Sequence, residues 1–281
     1  MSKRKSKICL VLAALCWGLA GVCVKSISWN SMPLMACRSF ISLIMLFIVK
    51  GNTRLSFKKN NVIGALFMSF TGILYILSIK LTTAGTAIVL QYIAPILVFL
   101  YAVIFQKKKA KLYEYLITAM VFFGIFLSFA DGLDSTRVLG NILGVLSGIT
   151  FAGQIITMNR ADVSSEDSLI ISNLISFAVS LPFMFFDDSM VFDAKNIVWI
   201  LVLGVVQYGM ANILFSKGIK GVDKVEASLI LTIEPIFNPI PVAIFCNEMM
   251  GIKAIVGFVI VITFVTLYGV LSEKEKIRIK N

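Results

Sequence analysis

The side chains in this sequence with the most evident chemical potential are Glu234 and Arg38, two charged groups inside long apolar stretches. A charge at the centre of a bilayer costs roughly 3 kcal/mol on insertion scales, so each must face protein or water if these stretches cross a membrane. Glu234 can carry a proton or pair with a substrate ammonium group. Alternatively, it satisfies backbone carbonyl groups left free by the prolines that follow it.

Three roles are open to Arg38. It can hold a substrate carboxylate, it can form a structural ion pair with Glu248, or its long side chain can extend to the membrane interface. The ion pair and the interfacial position are favoured over the substrate role.

A set of amide, hydroxyl and aromatic side chains stands within the other apolar stretches. Any one of them is explained by hydrogen bonds between helices, each contributing about 0.6 kcal/mol. Taken together with Glu234, they predict the lining of a polar pocket that binds a substrate. The set comprises Trp17, Tyr75, Gln91, Tyr92, Gln154, Tyr208, Asn212 and Asn238.

The composition specifies the environment in which these groups must be positioned. Hydrophobic residues make up 58% of the 281 residues and charged residues only 15%. Because about 20 apolar residues are needed to cross the hydrocarbon core, the sequence predicts an all-α integral membrane protein with ten transmembrane helices. The predicted spans are Ile8–Val24, Pro33–Val49, Val62–Ile79, Thr86–Phe105, Leu112–Ala130, Val138–Met158, Ser168–Phe186, Ile197–Ser216, Ala227–Phe245 and Ala254–Leu271.

The net charge of +11 follows from membrane topology rather than from a nucleic-acid ligand. Twenty of the 26 basic residues fall on one face of the ten predicted spans, which the positive-inside rule places in the cytoplasm together with both termini. The same residues attract anionic lipid. No aromatic-interleaved basic surface accompanies them, so nucleic acid is not an expected partner. The expected location is the cell membrane.

An internal repeat organises the chain. A shift of 140 positions aligns Lys80 with Lys220 and Pro95 with Pro235, and a shift of 134 aligns Trp17-Gly18 with Phe151-Ala152. We therefore expect two five-helix halves, residues 1–131 and 132–281. Because five is odd, the halves enter the membrane from opposite sides, and inverted repeats of this kind are typical of secondary transporters with a substrate site near the midplane.

Pro95 and Pro235 each remove a backbone hydrogen bond at equivalent depths of the two halves. We interpret them as gating hinges. Small residues recur every four positions at Gly140, Gly144 and Gly148, a spacing that predicts a close packing face within the bundle or between protomers.

Other function classes are less consistent with the sequence. It contains no histidine, no CxxC pair and no GxxxxGK[ST] phosphate-binding loop, so we expect no metal, no cofactor and no direct use of ATP. The alternatives are a channel or sensor, or a membrane-embedded lipid-modifying enzyme. Neither a selectivity sequence nor paired acidic residues with metal ligands are evident, and the sequence favours a protein without enzymatic activity.

In the order and spacing of several short motifs, the chain resembles the EamA family of the drug/metabolite transporter superfamily. The motifs are Trp17-Gly18, Arg38 after Pro33, Thr82–Ala87 leading to Pro95, Glu234-Pro235 and Asn247-Glu248. The resemblance implies a five-plus-five helix arrangement. It also implies transport of small polar metabolites, often amino acids and frequently outward. From the inverted halves and their prolines we expect alternating access, by a monomer or homodimer in contact with membrane lipid.

Overall fold

A computed structural model describes residues 2–51, 54–107, 110–131, 137–158, 160, 162–219, 221–222, 230–231 and 233–280. Lys220 and Lys224 lie outside these residues. Within the described part of the chain the regular structure is helical throughout, and eight helical stretches are long and apolar enough to cross a membrane. Two shorter apolar helices, Leu112–Ser128 and Ile233–Cys246, fall where the fifth and ninth spans were predicted. The protein is an all-helical, multi-pass membrane protein.

Fourteen helices and one π-helical segment are assigned within the described residues. They are α1 Lys3–Gly18, α2 Ala20–Ser26, α3 Ser31–Lys50, α4 Lys59–Leu81, α5 Ala84–Gln91, α6 Ala94–Ile104, α7 Leu112–Asp131, α8 Val138–Met158, α9 Ser165–Met184, α10 Ala194–Leu201, the π segment Val202–Met210, α11 Ala211–Ile219, α12 Ile233–Phe237, α13 Pro239–Cys246 and α14 Ile252–Lys280.

Connecting segments meet at two ends of the bundle. At the first, which we call the Lys25 end, Lys25 donates to the Thr82 carbonyl, Lys80 donates to the Ile27 carbonyl, and Trp29 Nε1 donates to the Val191 carbonyl at 2.9 Å. At the second, the Lys50 end, Lys50 pairs with Asp167 in the first turn of α9. These contacts join segments distant in sequence and hold the ends of neighbouring helices in register.

Close helix packing follows the glycine stripe of α8. A Cβ atom added to Gly140 would lie 2.7 Å from the Leu81 backbone carbon, and one added to Gly144 would lie 3.0 Å from Ser78 Oγ. Ser78 Oγ also donates to the Gly140 carbonyl at 2.8 Å. The stripe therefore packs within the chain, against the end of α4 and the end of α5, where Gly144 and Gly148 meet Leu90.

Large apolar side chains also cover the outside of the bundle. Ile48, Phe105, Phe126 and Phe186 are between 64% and 90% exposed, as are many similar residues along the helices. Water would make this surface unfavourable, whereas lipid solvates it. Polar side chains such as Ser39, Ser69, Asn141 and Asn173 are instead buried between helices.

Candidate functional site

Glu234 lies in the short helix α12, near two tyrosines from the first half of the chain and an asparagine that directly follows α12. Its carboxyl group is within electrostatic range of the Tyr75 and Tyr92 hydroxyl groups, and Asn238 lies beside Tyr75. Tyr75 and Tyr92 are each 7% exposed and Asn238 is fully buried, while Glu234 is partly exposed. The structure thus brings together four of the predicted site residues, from α4, the α5–α6 junction and α12 to α13.

Several buried polar atoms around this cluster make no hydrogen bond with the described residues. They include Gln207 Oε1, Asn212 Nδ2 and Arg38 Nε. Tyr75 Oη and the Asn238 amide also lack a hydrogen bond of normal geometry, but these two groups lie close enough to interact with each other. Buried polar groups are nearly always paired, because an unpaired one costs about 1–3 kcal/mol. Similar atoms also occur elsewhere in the bundle, for example at Ser6, Ser42 and Asn173. What distinguishes this region is that Tyr75 and Tyr92 also lie within electrostatic range of the Glu234 carboxyl group.

Two glycines allow the first span to approach the cluster. A Cβ atom on Gly21 would lie 2.9 Å from Asn238 Oδ1, and one on Gly18 would lie 3.3 Å from the Glu234 carbonyl oxygen and 2.7 Å from the Phe237 ring. Glycine at these two positions leaves the space into which α12 and Asn238 fit. Gly18, expected only as a packing residue, therefore shapes the wall of the site.

Arg38 lies deep inside the bundle, with 3% of its surface exposed. Its guanidinium carbon is 4.0 Å from the centre of the Tyr208 ring, and Nη2 contacts the Met35 sulfur at 3.0 Å. A Cβ atom on Gly72 would lie 2.8 Å from the same Nη2, so glycine in α4 makes room for the guanidinium group. Among the described residues no carboxylate pairs with Arg38.

The expected ion pair between Arg38 and Glu248 is wrong, because Glu248 lies at the Lys25 end. There its carboxylate is 2.6 Å from Lys25 Nζ and accepts the Ala84 backbone N–H at 2.7 Å. Ala84 is the first residue of α5, where a negative charge is favourable. The structure also excludes the interfacial position for Arg38, since its side chain is buried against Tyr208.

The remaining predicted residues are more dispersed. Gln91 is hydrogen-bonded to Ser147 Oγ at 2.7 Å, which fits the alternative reading as a contact between helices. Trp17 stacks against Phe215 with ring centres 5.1 Å apart, and its carbonyl accepts from Gln207. Asn212 lies in α11, one turn beyond Tyr208. Among the residues that the structure describes, no hydrogen bond links Gln154 to the other members.

Gln207 is a buried residue that the sequence analysis missed. It lies in the π segment, is 4% exposed, and has one amide oxygen without a partner. An amide inside an apolar stretch was the available signal, the same one that selected Asn212. Segments of π-helix within longer helices occur frequently at functional sites.

The proline-containing spans are both interrupted, at slightly different places from those predicted. Helix α5 ends at Gln91 and α6 begins at Ala94, so the break precedes Pro95. Helix α12 contains Pro235 and ends at Phe237, and α13 begins with Pro239 after a break at Asn238. The missing N–H of a proline leaves an upstream carbonyl without its helical donor, so each break lies within one turn of a proline.

The sequence itself is similar to known proteins along nearly its whole length. The EamA-like transporter family matches residues 4–130 and 138–270. The chain belongs to the EamA-like transporter family. Its membership places it in the drug/metabolite transporter superfamily, as the resemblance implied.

A relative from Archaeoglobus fulgidus, described as an uncharacterized transporter, is 24% identical over 259 residues, covering 90% of this chain and 92% of that protein. A solved crystal structure aligns with a TM-score of 0.68 and 16% identity, covering 97% of this chain and 99% of that one. The second likeness shows the fold alone. Family and relative together support a membrane transporter.

The cluster in this EamA-like protein can exchange protons and bind polar groups. A carboxyl group flanked by two phenols and an amide can accept an ammonium group or a proton, and a buried guanidinium can accept a carboxylate. Among the described residues no group of three histidine, cysteine or acidic side chains is arranged for a metal ion.

Proposed function

We propose that this EamA-like protein is a secondary transporter that moves small polar metabolites across the cell membrane by alternating access. The observation that carries the proposal is the polar cluster inside the bundle, where the Glu234 carboxyl group lies near Tyr75 and Tyr92 and where Gln207, Asn212 and Arg38 have polar atoms without partners among the described residues. A protein that only needed to fold would gain from pairing them or replacing them with apolar groups. A polar solute that enters and leaves provides the partners they lack.

Within this proposal, ten spans form two inverted halves, residues 1–131 and 132–281. Both termini lie in the cytoplasm at the Lys50 end. The clustering of residues 26–30, 80–84, 191–196 and 247–248 at the Lys25 end supports an up-and-down path of the chain. Tyr75 and Tyr92 come from the first half and Glu234 and Asn238 from the second, so the site lies where the halves meet.

Amino acids and related zwitterions are the substrate class that the charges favour, and efflux is the proposed direction. An ammonium group at the partly exposed Glu234 and a carboxylate at the buried Arg38 would each neutralise a charge that has no ion-pair partner among the described residues. Trp17, Gln91, Gln154, Tyr208 and Asn212 complete the proposed binding set. Arg38 thereby takes the substrate role that was the less favoured reading of the sequence.

Pro95 and Pro235 are the proposed gating hinges. Each lies beside an interruption of a span that reaches the cluster, so rotation there changes which end of the bundle the site faces. If correctly inserted Pro95→Ala and Pro235→Ala variants transported at the wild-type rate, this hinge role would be wrong. Monomer or homodimer remains the proposed assembly, with lipid on the exposed apolar surface.

Counterflow in proteoliposomes tests the function. Liposomes loaded with one unlabelled amino acid should accumulate the same labelled amino acid transiently and saturably. A panel of amino acids, nucleosides and sugar phosphates identifies the substrate class. Non-saturating flux would instead identify a channel, and turnover of lipid an enzyme.

Glu234→Gln is the decisive variant, run with and without a pH gradient. We expect the variant to lose its response to the gradient, because the amide that replaces the carboxyl group does not bind and release a proton. Glu166→Gln makes the same change at an exposed position at the start of α9 and should transport normally. Retention of the pH response by Glu234→Gln would remove the proton-carrier role.

A further inference from the structure

A polar cavity lies at the Lys25 end of the bundle, and none of its lining residues belongs to the Glu234 cluster. Its volume is about 330 Å³, within the range of small-molecule sites. Lys25, Lys80 and Arg137 line it together with Thr82, Asn247 and Glu248. Of the described lining residues, Glu248 is the one acidic side chain.

The two lysines are held in place by backbone oxygens. Lys25 Nζ donates to the Thr82 carbonyl at 2.7 Å and pairs with Glu248, whereas Lys80 Nζ donates to the Ile27 carbonyl. Lys80 therefore has no carboxylate partner among the described residues, although its side chain is only partly exposed. Arg137 also lines the cavity and is engaged with other groups.

The local charge balance is therefore uneven around an open space. One carboxylate faces two lysine ammonium groups, and that carboxylate is shared between Lys25 and the Ala84 N–H. Neutral carbonyl oxygens position Lys80 without neutralising it. The Thr82 and Thr83 hydroxyl groups on the same wall already donate to Asn141 Oδ1 and Thr86 Oγ1, so the lysines are the donors available to a ligand.

We propose that this cavity is a binding site for a small oxyanion, a carboxylate or phosphate group, with Lys80 as its main receptor. Lys25 contributes the second positive charge. The ligand chemistry is the same whether the group belongs to a free solute or to a lipid headgroup. A role in selecting transported solutes at this mouth of the protein rests on the proposed function, but binding of the anion does not.

Protection of lysines from chemical modification tests the site. The full-length protein is placed in nanodiscs of phosphatidylcholine and treated with a water-soluble amine-acylating reagent, with mass spectrometry following each lysine. Inorganic phosphate, at ionic strength held constant with chloride, should slow acylation of Lys80 and Lys25. Lys195, an exposed lysine at the start of α10, should react at an unchanged rate.

Variants then measure the contribution of Lys80. With Lys25 as the reporter, Lys80→Gln should raise the phosphate concentration for half protection about tenfold, as expected when one charge-assisted contact is lost. Lys80→Arg should restore most of the affinity because it keeps the charge. Lys195→Gln is the matched control and should leave the midpoint unchanged.

A second set of nanodiscs contains phosphatidylglycerol and no inorganic phosphate. Protection of Lys80 in this arm assigns the site to a lipid headgroup, and protection only by phosphate in phosphatidylcholine assigns it to a soluble anion. Absence of protection in both arms overturns the proposal, as does equal protection of Lys195. Counterflow is measured separately. If Lys80 is protected but no counterflow occurs, the transport proposal is refuted and the anion site stands. If counterflow occurs but Lys80 is not protected, the anion site is refuted and the transport proposal stands.

Discussion

Replacing Arg38 with methionine should make the protein more stable and less active. Arg38 is 3% exposed and has no ion pair among the described residues, and its main contact is the Tyr208 ring at 4.0 Å. A charged group at mid-membrane costs about 3 kcal/mol. A desolvated cation–π contact offsets about 2 kcal/mol of this. The difference predicts that Arg38→Met stabilises the folded state by about 1 kcal/mol.

Thermal unfolding of the purified protein measures the first part of this prediction. A gain of about 1 kcal/mol corresponds to a rise in Tm of about 2 °C for a chain of this size. Counterflow measures the second part, and we expect at least about a tenfold loss of rate if the guanidinium holds a substrate carboxylate. Arg38→Lys is the control, since it keeps the charge but not the planar group that stacks on Tyr208.

Two results would refute this reasoning. A fall in stability of about 3 kcal/mol or more for Arg38→Met would reveal a buried partner charge left uncompensated, and hence a structural role. Wild-type counterflow by Arg38→Met would show that the guanidinium does not contact the solute. The combination of higher Tm and lower flux is specific to a charge retained for function.

Three further predictions concern the packing and the ends of the bundle. Gly140→Ala should lower stability by about 1–3 kcal/mol in unfolding experiments, because the added methyl group meets the Leu81 backbone, which has no rotamer to change. Glu248→Gln should cost about 1 kcal/mol in the same assay, since its partly exposed pair with Lys25 and its place at the start of α5 are both weakened. Hydrogen bonds from Ser189 and Asn30 lower the pKa of Asp187 in the loop before α10. Its contribution is therefore complete above the unfolded-state pKa of about 3.9 and is lost as the pH falls through the lower folded-state pKa. The difference in Tm between wild type and Asp187→Asn should accordingly disappear in strong acid.

The sequence predicted the composition of the central cluster better than its surroundings. Glu234, Tyr75, Tyr92 and Asn238 were selected because a polar or charged group inside an apolar span needs a partner. The structure brings these four together. The need of a polar group for a partner inside the membrane could be recognised in the sequence without knowledge of the fold. Eight of the spans follow for a similar reason, since apolar length is a direct physical condition for crossing a bilayer.

Partners across the bundle were harder to predict. Arg38 and Glu248 have opposite charges, but sequence gives the depth of a residue in its span and not the direction in which its side chain points. Arg38 turns towards Gly72 and Tyr208, while Glu248 lies beyond α13 at the start of α5. Lys25, in the last turn of α2, is the partner of the Glu248 carboxylate instead.

The π segment illustrates a second limit. A change from the α-helical to the π-helical hydrogen-bond pattern leaves hydrophobicity unchanged, so the span containing Val202–Met210 looked continuous. The wider turn contains both Gln207 and Tyr208, and Tyr208 lies against Arg38. Gly204 and Gly209 in this segment approach Ile41 and Met45 of α3, which explains how the wider turn fits against the helix that carries Arg38.

The arrangement of buried charge in this protein is difficult to explain by folding alone. Arg38 lies in α3 and Glu234 in α12, and each is accompanied by polar atoms without hydrogen-bond partners. Apolar side chains of similar volume would fill both positions without the desolvation cost, and such replacements often stabilise a protein. Because these charges oppose stability, their presence is better explained by a solute that pairs with them transiently. A solute bound permanently would make the same contacts, but it would give no role to the interrupted helices at Pro95 and Pro235, which under the proposed hinge role let the site change the end it faces.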